Sequence, residues 1–171
     1  PDAYREIDRA SASAGMVSAA MPHHGYSYIP AMQTDAAHPP LTVLTDEELM
    51  FRDAVAAFAE DEVRPRLKQM ESAAKLDRAL IDACFELGLM GIEVPESLGG
   101  AGGTLFMVAL AVEEISKVDA SSAILVDVQN TLVNYPINRY GSDDQKSRYL
   151  PKLTSGTVGA YALSEPGSGS D

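Results

Sequence analysis

The stretch Ser122-Ala123-Ile124-Leu125-Val126-Asp127-Val128-Gln129-Asn130 decides how this chain reads as a fold. It opens a helical run that extends to about Arg139. Ala123, Ile124, Leu125, Val126 and Val128 make its first part nearly all apolar. A helix that is apolar on every side is buried on every side, so this segment is expected to run through the middle of a helical bundle. Asp119, or Ala120-Ser121-Ser122, restarts the helix, with Ser121 or Ser122 as a candidate cap. Gln129 and Asn130 interrupt the apolar run. Buried amides need hydrogen-bond partners, so the two read either as ties between helices or as groups facing a ligand cavity.

Upstream, Leu105, Val108, Val112 and Ile115 recur at spacings of three and four, which predicts a helix over about 104–118. Four glycines within Gly99–Gly103 precede it. No Lys-Ser or Lys-Thr follows the last glycine, so the Walker pattern fails, and the cluster reads as a connecting loop. Leu80, Ile81, Cys84, Phe85 and Leu87 predict a helix over about 75–89, with Cys84 as a small core hydrophobe. Thr45-Asp46-Glu47-Glu48 is a capping box, and Leu44 and Leu49 occupy the staple positions around it. Leu49, Val55, Phe58 and Val63 mark one face of the helix it opens. Pro65 is expected to end or kink that helix.

Downstream, Ser142-Asp143-Asp144-Gln145 is a second capping box. It opens a helix whose length Pro151 is expected to limit and which Gly156 ends. Thr157-Val158-Gly159-Ala160-Tyr161 then reads as a short strand. The chain closes on Ala162-Leu163-Ser164-Glu165-Pro166-Gly167-Ser168-Gly169-Ser170-Asp171. Small hydroxyls and glycines at such a place present backbone N–H groups and allow close approach. From spacing alone, this loop is either a surface turn or the edge of a cofactor site.

The 171 residues suit one domain, or one domain and part of another. A net charge of −12 argues against nucleic acid, whose phosphates need clustered Lys and Arg. No apolar run reaches the ~20 residues of a membrane-spanning helix. Cys84 is the one cysteine, so no intrachain disulfide and no cysteine-based metal site is expected, and a reducing compartment is the simplest setting. Residues 1–43 lack an apolar period and read as a flexible arm. His23, His24 and His38 lie there with nothing beside them to complete a metal site. Asp2, Glu6 and Asp8 weigh against an import presequence. The chain begins at Pro1 rather than Met, which reads as trimming or a fragment. Glu113-Glu114 and Asp143-Asp144 have ordinary places on a polar helix face and at a helix N-terminus.

Several segments, in order, resemble the acyl-CoA dehydrogenase family. They are Gly88-Leu89-Met90-Gly91-Ile92-Glu93-Val94-Pro95-Glu96, the Gly99-Gly100 turn, and Val112-Glu113-Glu114-Ile115-Ser116-Lys117-Val118-Asp119. Tyr140-Gly141-Ser142-Asp143-Asp144-Gln145-Lys146, Tyr149-Leu150-Pro151-Lys152-Leu153 and the terminal loop follow. Asp127-Val128-Gln129-Asn130-Thr131-Leu132-Val133-Asn134 is most similar to the short/branched-chain branch. The resemblance covers about 44–171.

It implies a mainly α fold: the N-terminal helical bundle of that family over 44–156, and the first strand and flavin loop of its middle β domain over 157–171. It implies FAD, with Tyr161, Leu163, Ser164, Gly169 and Ser170 at flavin-contacting positions. Ser170 also matches a position near the pantetheine or phosphate of the CoA thioester, and Leu125, Val128 and Leu132 match walls of the acyl pocket. The implied reaction is α,β-dehydrogenation of a short or branched-chain acyl-CoA, with electrons passed to an electron-transferring flavoprotein. The implied assembly is a homotetramer. The catalytic base is expected beyond residue 171, so no residue here is assigned that role. A truncated homologue serving as a structural or interaction subunit is the alternative. The arm before Leu44 favours the mitochondrial matrix over a bacterial cytoplasm.

Overall fold

The computed structural model describes residues 43–169. The three histidines, nearly all of the expected arm, Ser170 and Asp171 lie outside the described residues. The described residues are mainly helical, as the patterns predict.

Helix α1 spans Asp46–Phe58, and its capping box forms: Thr45 accepts from the Glu48 amide while the Glu48 carboxylate accepts from the Thr45 amide. The helix does not stop near Pro65. It widens into a π-turn over Ala59–Val63, tightens into a 3-10 turn over Arg64–Arg66, and continues as α2 over Leu67–Ala73. Proline lacks an N–H and clashes with the carbonyl four residues back. The wide turn just before it accommodates both defects, so the helical run continues past Pro65 rather than ending. Val55, Ala59 and Val63 lie on its buried side.

Helix α3 covers Arg78–Glu86, with Asp77 as its cap. It begins later than the sequence suggests, because Ala74 turns left-handed at the end of α2 and Asp77 then restarts the chain. Leu80 and Cys84 enter the core, whereas Leu87 is exposed. A 3-10 turn over Leu89–Gly91 leads to the glycine-rich loop. That loop folds back on the preceding segment: the amides of Ala101, Gly102 and Gly103 donate to the carbonyls of Gly91, Val94 and Ile92. Gly100 lies so close that a Cβ there would stand 2.0 Å from the Val94 carbonyl oxygen. The loop is a packed connector, as expected.

Helix α4 covers Leu105–Ser116, capped by Thr104, and packs against α1 and against α5. Helix α5 spans Ala120–Asp127, and its cap is Asp119 rather than Ser121 or Ser122. Asp119 accepts from the Ser122 amide and hydroxyl, which draws Ser122 inward. The run continues as a π-turn over Val128–Asn134 and as α6 over Tyr135–Tyr140. Here too the π-turn sits just ahead of a proline, Pro136. The run is not buried on every side: Ala123 and Val126 are sealed in the core, but Ile124 is 59% and Leu132 39% exposed. Its neighbours α4, the Leu89–Gly91 turn and the helix over Asp143–Ser155 leave part of its surface uncovered.

Helix α7 spans Asp143–Ser155 and starts with the expected capping box of Ser142 and Gln145. Pro151 sits inside it without stopping it. Thr157–Tyr161 makes no ladder among the described residues, since a strand needs a second strand to pair with. The one β-type contact among them is the bridge between Glu165 and Ser168. No helix among the described residues is long and apolar enough to cross a membrane.

Candidate functional site

The π-turn over Val128–Asn134 carries three buried amide side chains, and each reaches at least one partner far away in sequence. Asn130 accepts from the Ile92 amide at 2.9 Å and donates to the Leu89 and Val126 carbonyls at 2.8 Å each. Asn134 donates to the Met90 carbonyl at 2.8 Å. These two residues sew the π-turn to the 3-10 turn beneath it. Gln129 faces the other way, towards the chain's exit from α7. Its Nε2 donates to Leu153 O at 2.7 Å and Thr157 O at 3.0 Å, and its Oε1 accepts from the Gly159 amide at 2.8 Å.

Those contacts tie the run that bears one group of residues singled out from sequence to the chain just ahead of the other. The run bearing Leu125, Val128 and Leu132 also bears Gln129 and Val133. Gln129 grips Thr157 and Gly159. Val133 lies under Gly159, where a Cβ would come within 2.3 Å of Val133 Cγ1. Two residues beyond this grip stands Tyr161, and four beyond stands Leu163. Leu125 packs partly on the core, Val128 is half-buried and Leu132 opens outward.

The segment after Gly159 is open. Tyr161 is 50% and Leu163 72% exposed, and Ser164 and Gly169 are exposed as well. The amides from Ala160 to Ser164 make no hydrogen bond with any described residue. Glu165 and Ser168 exchange two backbone hydrogen bonds, 3.0 and 3.1 Å, closing a tight turn over Pro166-Gly167. An apolar residue beside free N–H donors is what a flat, polar-edged ring system requires: a surface to lie against and donors for its heteroatoms. On that ground the residues present fit a flavin. Ser170 falls outside the described residues.

The titratable groups near the bundle have ordinary roles. Lys117 sits 2.6 Å from Glu114 and 3.6 Å from Glu113, and the hydrogen bond to Glu114 raises its pKa. Asp143 and Asp144 occupy the first turn of α7. Burial pushes the Cys84 thiol up to about 12, so it stays protonated. Among the described residues no three His, Cys, Asp or Glu side chains gather as a metal site. Sequence reading noted Gln129 but not its partners. The one available signal was a buried-patterned amide 30 residues ahead of a glycine-punctuated exit.

The described residues define a class of fold: a helical domain whose last helix leads into an exposed exit segment. Comparison then specifies it. Residues 45–157 match the family model for the acyl-CoA dehydrogenase N-terminal domain. The chain belongs to the acyl-CoA dehydrogenase family. Over 132 residues (77% of this chain) it is 46% identical to a probable short/branched chain specific acyl-CoA dehydrogenase of Dictyostelium discoideum, and 44% identical to the mitochondrial short/branched chain specific acyl-CoA dehydrogenase of Bos taurus. It is 40% identical over 129 residues (75% of this chain) to an acyl-CoA dehydrogenase of Bacillus subtilis. The matches cover 32%, 31% and 34% of those proteins, so the chain spans about a third of the relatives' length.

Solved structures agree. Butyryl-CoA dehydrogenase from Megasphaera elsdenii superposes with a TM-score of 0.68 at 34% identity, covering 74% of this chain and 34% of that one. A glutaryl-CoA dehydrogenase from Mycobacterium smegmatis in complex with FADH2 gives 0.68 at 30% identity, covering 75% and 33%. A chain in the structure of the electron transferring flavoprotein of Acidaminococcus fermentans gives 0.69 at 40% identity, covering 74% and 34%.

Proposed function

We propose that this chain is the N-terminal helical part of an FAD-dependent dehydrogenase that converts a short or branched-chain acyl-CoA to the 2-enoyl-CoA. The observation that carries the reading is the match of residues 45–157 to the acyl-CoA dehydrogenase N-terminal domain, together with relatives of that specificity. FAD, when bound, supplies the acceptor for the hydride leaving the β carbon. Tyr161 and Leu163 give it an apolar face. The Leu163 and Ser164 amides, the Ser164 hydroxyl and the close backbone at Gly169 serve its polar edge. Ser170 meets the flavin and the CoA pantetheine or phosphate. Leu125, Val128 and Leu132 keep water from the acyl chain, which holds it in one orientation. The base that takes the α proton lies beyond residue 171, and 157–171 leads into the β domain.

Electrons pass to an electron-transferring flavoprotein, a partner that the Acidaminococcus fermentans structure supports. The assembly is a homotetramer. The mitochondrial relative supports a matrix location, and the Bacillus subtilis relative keeps a bacterial cytoplasm as the alternative.

The test is a spectrum of the protein at its full encoded length. Bound flavin that is bleached by butyryl-CoA or 2-methylbutyryl-CoA supports the proposal. A folded, colourless protein that takes up no added FAD overturns it and leaves a non-catalytic subunit as the reading.

A further inference from the structure

Gln129 is 1% exposed and uses its whole amide. Both N–H groups donate and the oxygen accepts, so exchanging O and N would set two carbonyls against an oxygen and one N–H against an NH2. Leu153 O belongs to the last turn of α7, whose carbonyls have no partner inside the helix. Gln129 therefore caps α7 from outside while gripping Thr157 and Gly159, two and four residues past its end. Thr157 also donates to Lys152 O at 3.0 Å. Beyond Gly159 the segment is exposed, and its amides make no hydrogen bond with the described residues until the turn at Glu165. At no more than ~3.5 Å per residue, Leu163 lies within about 14 Å of chain from the last fixed point.

We propose that Gln129 is a positioning residue: through Thr157 and Gly159 it sets where the Ala160–Ser164 amides stand to receive the flavin. The proposal rests on the flavin reading above. Gly159 takes part because it alone lets the backbone lie on Val133 while its amide reaches Gln129. A core amide that served packing alone would need no contact with the exit segment; this one spends two of its three hydrogen bonds there.

The experiment uses the full-length protein with Gln129→Met, Gln129→Glu, Gly159→Ala and Gly159→Ala/Val133→Ala. Two quantities are read: FAD dissociation constant, and hydrogen exchange of the Thr157 and Gly159 amides without FAD. Gln129→Met is expected to speed that exchange and weaken FAD binding, each by roughly tenfold, the scale of one or two lost hydrogen bonds. Gln129→Glu weakens binding at neutral pH, because a carboxylate cannot donate to two carbonyls. Binding recovers in part as acid protonates it, a pH dependence the wild type lacks. If the Gln129 variants fail to fold, Gly159→Ala moves the segment directly and Val133→Ala restores part of the loss. Folded variants with wild-type exchange and wild-type FAD affinity overturn the proposal. A wild type that binds no FAD overturns the flavin reading instead, and the exchange rates still decide whether the grip exists.

Discussion

Asn130 Oδ1 accepts the Ile92 amide proton at 2.9 Å across 38 positions of sequence. The same side chain donates to Leu89 O and Val126 O, so one buried amide joins the π-turn to the 3-10 turn below it. The joint fixes the run that bears Leu125, Val128, Gln129 and Leu132.

Asn130→Ala leaves the Ile92 amide and the Leu89 carbonyl buried without their side-chain partner. The expected cost is about 3 kcal/mol, measured by denaturant unfolding. Asn134→Ala serves as the contrast. It removes one hydrogen bond and also a buried Oδ1 that has no partner among the described residues. It should cost about 1 kcal/mol.

Gly100→Ala drives a Cβ into the Val94 carbonyl. Backbone cannot yield as a flexible side chain does, so destabilisation of about 2–3 kcal/mol is expected. Gly88→Ala meets nothing within 4 Å and is strained only by its φ of +81°. About 1 kcal/mol is expected there. Melting temperatures of the two variants, ranked in that order, check both.

Cys84 carries a pH dependence of known sign. Its thiol ionises near 9.0 when free and near 12 in the fold. The raised value means that its contribution is complete below about pH 9 and is lost as pH rises towards 12. Stability should fall there by up to ~1.4 kcal/mol per pH unit. Cys84→Ala should flatten that part of the curve. In the native protein at neutral pH, alkylating reagents should leave Cys84 unmodified and react only after unfolding.

Leu163→Ala separates stability from cofactor binding. At 72% exposure the side chain supports little of the fold, so unfolding should shift by under ~0.5 kcal/mol. FAD affinity should drop by roughly tenfold if that side chain lies against the ring. Unchanged affinity, measured by fluorescence titration of the full-length protein, removes Leu163 from the cofactor face.

Helix starts were legible because their causes are local. Thr45 with Glu48, and Ser142 with Gln145, are hydrogen-bonded pairs three residues apart. Such pairs can be read without knowing anything distant. The order of family-like segments was legible for another reason: each is a short motif that stands alone. The two π-turns were not. Pro65 and Pro136 announce a defect, but whether a helix ends or widens depends on what packs beside it. Val63 is sealed in the core and Asn134 is tied to Met90, so in both places the run continues.

Burial was only half legible. Ala123 and Ile124 are both apolar and adjacent, yet one is sealed and the other mostly open. Pattern alone does not say which side a neighbouring helix covers.

Local pattern, then, suffices for the helical class of this chain, for its caps and for the family it belongs to, because each depends on residues within a turn of one another. The tertiary structure decided the rest. That Gln129 and Asn130 need partners follows from their place in an apolar run; that they take Leu153, Thr157 and Gly159 on one side, and Leu89 and Ile92 on the other, does not. A buried amide must be satisfied wherever it is, but the fold chooses which distant backbone groups stand within 3 Å to satisfy it.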